Sequence, residues 1–163
     1  MAEISEEFAK RQFRKFAGAY KTLRGVNLDW GSYNKEQKGG WDFACTDTNR
    51  KSVLYIEYTE GIVNHHQKAN IEAAKRGEYE FKFAHGIKPF TEVVASAYKN
   101  KLNKANKDFI LLIGFHDIFY DRNDIHDNIV SISPYMEKTY GRCAYKEVWI
   151  LNEADHSCDL VFE

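Results

Sequence analysis

Two neighbouring runs decide how this chain folds: Trp41-Asp42-Phe43-Ala44-Cys45-Thr46-Asp47 and Ser52-Val53-Leu54-Tyr55-Ile56-Glu57-Tyr58-Thr59, joined by the polar residues Thr48-Asn49-Arg50-Lys51. Each is short, rich in aromatic and aliphatic residues and bounded by turn formers, which predicts two strands in quick succession. Glu57 interrupts the second run straight after Val53-Leu54-Tyr55-Ile56. A carboxylate inside such a segment is costly to bury unless something pairs with it. Glu57 therefore either turns to solvent by strand alternation or belongs to a site.

Working outward, Ser5 is a plausible N-cap. Phe8, Phe13, Phe16, Ala19, Tyr20 and Leu23 then recur at helical spacing until Gly25 stops the pattern. The stretch from Val26 to Gly40 suits a first strand followed by a hairpin turn at the paired glycines. Residues 60–88 read as an irregular, partly helical insertion punctuated by Gly61, Gly77 and Gly86. After Pro89 a strong helix runs over residues 90–105, and the continuous apolar run of 108–117 predicts a buried strand. A further helix over 124–140, a strand over 145–152 and a short edge strand or tail from Cys158 complete the chain. The order is helix, three strands, helix, strand, helix, strand, with no repeat and no linker. This predicts one α/β domain over residues 1–163, a mixed central sheet flanked by helices. Phe90, Val94, Ala97, Phe109, Leu111, Ile113, Val148 and Ile150 should form one core between the central helix and the sheet.

That order resembles the core of the PD-(D/E)xK nuclease superfamily, whose restriction-endonuclease-like fold cuts phosphodiester bonds with Mg²⁺ or Mn²⁺. The resemblance covers nearly all of the chain. Trp41-Asp42-Phe43 stands where the PD motif opens the second strand, and Ile56-Glu57-Tyr58-Thr59-Glu60 where (D/E)xK ends the third. It implies Asp42 and Glu57 as metal ligands, close enough to share one ion. Two carboxylates on adjacent strands can hold a hard cation while leaving positions for water and phosphate. It further implies a nucleic-acid substrate, in the first instance DNA, and is compatible with a homodimer.

The chain departs from the motif at Thr59, which replaces the lysine that positions the attacking water and stabilises the developing charge in the family. Thr59 would then take a secondary polar role. Some members of the superfamily carry this lysine on the following helix instead. Turning the helix of residues 90–105 at ~100° per residue puts Lys101 within the stripe of Phe90, Val94, Ala97, Tyr98 and Ala105. Lys104 lies on the edge, and Lys99 and Asn103 face away. Lys101 is the candidate for the displaced lysine, with Lys104 second. The alternative is that Lys101 merely snorkels to water from the helix end. A catalytically inactive nuclease-like fold, serving as a binding module for nucleic acid or protein, is the second functional reading.

Other features carry less. Lys99, Lys101, Lys104 and Lys107 crowd one segment that could meet phosphates, or simply form a solvated face. The formal net charge of -1 gives no global basic field, so nucleic-acid binding would rest on a local patch. Adjacent His65 and His66 make a poor chelate. Glu6 or Glu7 could supply a further carboxylate, as helix-one acids do in some relatives, and His116 with Asp117 could line a cleft. Cys45, Cys143 and Cys158, odd in number and without CxxC spacing, read as reduced structural thiols. No run approaches the eighteen or so apolar residues of a membrane span, and residues 1–16 alternate charges where a signal peptide would be apolar. The expectation is a cytoplasmic protein.

Overall fold

The structure is a computed structural model and describes residues 4–61, 90–115, 122–153 and 156–163. Helix α1 (Glu6–Arg24) starts where Ser5 Oγ accepts from the Phe8 N–H at 3.1 Å. It ends at Gly25, whose φ of 68° is the left-handed C-cap conformation that glycine adopts without a Cβ penalty. Strands β1 (Leu28–Tyr33), β2 (Phe43–Asp47) and β3 (Val53–Glu60) follow. Helix α2 (Phe90–Lys101) tightens into a 3₁₀ turn, Leu102–Lys104. Then come β4 (Phe109–Phe115), α3 (Arg122–Tyr140), β5 (Glu147–Asn152) and β6 (Cys158–Phe162).

The six strands form one sheet in sequence order, β1-β2-β3-β4-β5-β6. The first three are an antiparallel meander, β4 and β5 continue in parallel from β3, and β6 returns antiparallel to β5. Parallel neighbours need crossovers, and crossovers are right-handed. Two successive ones stepping the same way across the sheet therefore lay α2 and α3 on the same face. That face is one core in which Phe90, Val94, Ala97, Phe109, Leu111, Ile113, Val148 and Ile150 all take part, joined by Ile132 and Met136 of α3. Helix α1 covers the opposite face with Phe13, Phe16 and Tyr20 on Leu54, Ile56, Ile110, Leu112 and Trp149. All of β4 and β5 is buried, which is why these strands are continuously apolar or nearly so. The chain is thus α/β with a mixed, open sheet between helices.

Several local details differ from the sequence reading. The paired glycines do not close a tight hairpin. Asn34, buried, donates from Nδ2 to the carbonyls of Lys38 at 2.9 Å and Trp41 at 2.7 Å, and so braces a longer loop that delivers Trp41 and Asp42 to β2. The regular part of α2 stops at Lys101, four residues short of the apolar pattern's end at Ala105. The expected insertion at 60–88, apart from Glu60 and Gly61, lies outside the described residues, as do His65, His66, His116 and Asp117. Among the described residues no helix is long and apolar enough to cross a membrane. Cys45 and Cys143 are buried free thiols, Cys158 is a partly buried one, and desolvation pushes the Cys45 pKa up to about 12.

Gly114 in the middle of β4 has a steric reason. A Cβ there would lie 1.9 Å from the Tyr58 hydroxyl and 2.6 Å from its ring carbon Cζ. Tyr58 is only 4% exposed, so its ring must shift within a packed core to make room. Gly114→Ala should therefore lower unfolding stability by about 2 kcal/mol, the scale of overpacking a core. Chemical denaturation checks this, and a variant as stable as wild type would show that Tyr58 is free to move.

Candidate active site

Glu57 lies in the middle of β3 between Tyr55 and Thr59 on the α2 face, and only 3% of it is exposed. It does not turn to solvent, so the alternation reading fails and the demand for a partner becomes real. Two partners meet it. Lys101 Nζ stands 3.2 Å from Oε1, and the Tyr145 hydroxyl donates to Oε2 at 2.7 Å. The same hydroxyl lies 3.2 Å from the Lys101 carbonyl. Lys101 keeps 17% of its side chain exposed, so its stem lies against the core while its charge points at Glu57 and not at bulk water.

Asp42 immediately precedes β2, one step beyond the last paired residues, Phe43 and Ile56. Its N–H donates to the Ile56 carbonyl at 2.8 Å, and its Oδ2 accepts from the Tyr58 N–H at 2.7 Å. Asp42 is therefore bonded to the residues on both sides of Glu57. Its charge is felt there. Desolvation raises the Glu57 pKa above the ordinary carboxylate value, the Tyr145 hydrogen bond and the Lys101 charge oppose that rise, and Asp42 adds to it. Burial and the Glu57 carboxylate hold the Tyr145 phenol well above its usual range.

The remaining sequence candidates sort by place. Thr59 is buried on the same face as Glu57, two residues along β3, beside Ile113 of β4. Lys101 reaches Glu57 from the other direction. Its carbonyl contacts Tyr145, and the next residue, Lys146, bonds to Phe109 where β4 begins, the end of the sheet where Tyr55 lies. Lys99 and Lys104 are exposed, and Lys107 donates from Nζ to the Cys143 carbonyl, so the lysine cluster is split between solvent and a structural contact. Glu6 and Glu7 are exposed in the first turn of α1, with Glu6 paired to Lys10 at 3.6 Å. Helix α1 covers the face opposite Glu57. The polar side chain that α1 buries is Gln12, which donates to Glu153 beside the Lys15 to Glu153 ion pair at 3.1 Å. Tyr145 carried no signal in the sequence beyond its position at the start of the predicted last strand.

Two carboxylates supply hard oxygen donors, the chemistry that Mg²⁺ or Mn²⁺ takes with water and phosphate completing the shell. A carboxylate has about four lone-pair positions, so the bonds from Lys101 and Tyr145 leave Glu57 able to accept a further contact. Among the described residues no larger group of three or more His, Cys, Asp or Glu is gathered for a metal. Asp42 and Glu57 would therefore have to hold it. Comparison with protein-family models, curated proteins and solved structures found no match to this chain.

The raised pKa of Glu57 has a measurable sign. Its folded-state value lies above 4.5, so the folded protein binds the proton more tightly than the unfolded chain. The corresponding stability is fully present below the unfolded pKa and is lost as pH rises through the folded one. Melting wild type and Glu57→Gln side by side from pH 7.5 down to about 4.5 should show wild type gaining on the variant as pH falls. A difference that moves the other way would mean that Lys101 and Tyr145 outweigh desolvation.

Proposed function

We propose that this chain is a PD-(D/E)xK-like domain that hydrolyses phosphodiester bonds in nucleic acid, with Asp42 and Glu57 as ligands for Mg²⁺ or Mn²⁺. Lys101 supplies the positive charge that Thr59 cannot. The observation that carries this reading is the Lys101 ammonium 3.2 Å from Glu57 Oε1, beside an aspartate bonded to both neighbours of that glutamate. The order of elements and the meander of β1 to β3 leading through α2 into a parallel β4 support it.

Asp42 and Glu57 would hold the metal, which would supply Lewis-acid polarisation of a phosphoryl oxygen and a more acidic water. The protein's own groups do the rest. Lys101, fixed by its pair with Glu57, offers a donor where negative charge grows on the phosphoryl oxygens, and a fixed donor in a dry site costs no reorganisation at that moment. Its approach from the Tyr55 side means that it substitutes for the motif lysine in charge but not in position. Thr59 contributes only a neutral hydroxyl on the far side of Glu57.

A second reading has its own support. Both Glu57 oxygens are already engaged by the protein's own donors, and Thr59 leaves the motif position uncharged. An inactive nuclease-like fold that binds nucleic acid or a protein partner fits those two facts.

Cleavage of single-stranded DNA, duplex DNA and RNA with Mg²⁺ and with Mn²⁺ separates the two. On the first reading, Lys101→Ala should lower cleavage by ~100-fold or more, the scale of one positioned electrostatic group, while the exposed Lys99→Ala does much less. Wild type that cuts none of these substrates with either ion leaves the binding-module reading. Two variants that behave alike refute the role given to Lys101.

A further inference from the structure

Among the described residues, Tyr145 is the polar contact of Glu57 that the proposed chemistry has not used. It is 1% exposed, lies just ahead of β5, and reaches Glu57 across 88 positions of sequence. Its hydroxyl carries one proton and faces two acceptors, Glu57 Oε2 at 2.7 Å and the Lys101 carbonyl at 3.2 Å. The nearer acceptor bears the charge and takes the proton, since hydrogen bonds to a carboxylate are shorter and stronger than those to a neutral carbonyl.

The consequence is geometric. Rotation of a glutamate carboxylate about its last torsion is soft. With Oε2 tied to Tyr145 and Oε1 facing Lys101, both ends of the Glu57 carboxylate are fixed and that rotation is closed off. Tyr145 is itself held in place. Its ring packs edge-on to Tyr98 with centroids 6.3 Å apart, and the Tyr98 hydroxyl accepts from the N–H of Ala144, the residue before it.

We propose that Tyr145 is a positioning residue: it sets the orientation in which Glu57 presents its oxygens to Lys101 and to a divalent cation, and does so without touching nucleic acid. This rests on the nuclease reading and assigns to it a residue that the motif does not contain. A positioned group loses rate when its support is removed, even though every reacting group is still present.

Tyr145→Phe tests this, because it removes only the hydroxyl and keeps the ring that fills the core. Tyr20→Phe, on the opposite face of the sheet, is the control for losing a tyrosine hydroxyl from a core. Three quantities are read: kcat and KM for cleavage, the Mn²⁺ midpoint by electron paramagnetic resonance, and the effect of Tyr145→Phe in a Lys101→Ala background. The proposal requires kcat to fall about 10-fold or more in Tyr145→Phe with KM for nucleic acid unchanged, the pattern of an interaction that matters in the transition state alone. Mn²⁺ should bind more weakly, and the same substitution should cost much less once Lys101 is gone, because the two act as a unit. Cleavage by wild type with Tyr145→Phe matching Tyr20→Phe in all three overturns the role of Tyr145 and leaves the nuclease reading standing. A wild type that neither cuts nucleic acid nor binds Mn²⁺ overturns that reading, and this proposal with it.

Discussion

The carboxylate of Glu57, buried in the middle of β3, is the constraint on which the rest of this face depends. An isolated charge in such a place would not persist, because desolvation alone costs several kcal/mol even after the surroundings relax. Lys101 and Tyr145 answer that cost from two directions, one with charge and one with a hydrogen bond. For both to arrive, α2 must end where it does and the segment ahead of β5 must pass beneath it. The parallel crossovers and the packing of Phe90, Val94, Ala97 and Tyr98 arrange this. The other face carries a comparable arrangement in which Gln12, Lys15 and Tyr58 converge on Glu153. The same face also buries Glu147, which accepts from Arg24 and from Trp149 Nε1, so both faces of the sheet hold acidic side chains withdrawn from water and satisfied by hydrogen bonds.

Opposing forces surround Glu57, and desolvation is the largest of them. Burial and Asp42 push toward protonation, while Tyr145 and Lys101 push toward the anion. A buried ion pair is weak support for stability by itself, since replacing both partners with apolar groups of like volume is often neutral or better. What such a pair gives is a defined arrangement of charge. In this chain that arrangement is two acids and one lysine at the junction of β2, β3 and α2, and the proposed chemistry rests on it.

Much of this was legible in the sequence, and for identifiable reasons. Ser5 and Gly25 mark α1 because helix ends need a side-chain acceptor and a left-handed residue. The apolar runs of β4 and β5 announce strands buried on both sides. Asp42, Glu57 and Lys101 stood out because each puts a charge where the local pattern calls for an apolar residue or a motif residue. Tyr145 did not stand out, since an aromatic at the start of a buried strand is ordinary and its meeting with Glu57 is purely tertiary. The loop before Asp42 was misjudged because its shape depends on the Asn34 side chain bonding to two carbonyls, a contact that no local pattern displays. The helix-one acids were misjudged because the sequence does not say which face of the sheet α1 covers. In the fold it is the one away from Glu57.

The claim at the centre of this account is that Asp42 and Glu57 together take a divalent cation beside Lys101. Crystals of the protein soaked in Mn²⁺ and examined by anomalous diffraction test it most directly. The account predicts a peak bonded to a carboxylate oxygen of each residue at about 2 to 2.6 Å, the range of such ligand bonds, with the Lys101 ammonium adjacent. Crystals that show no peak there, with Glu57 still closed between Lys101 and Tyr145, would contradict it.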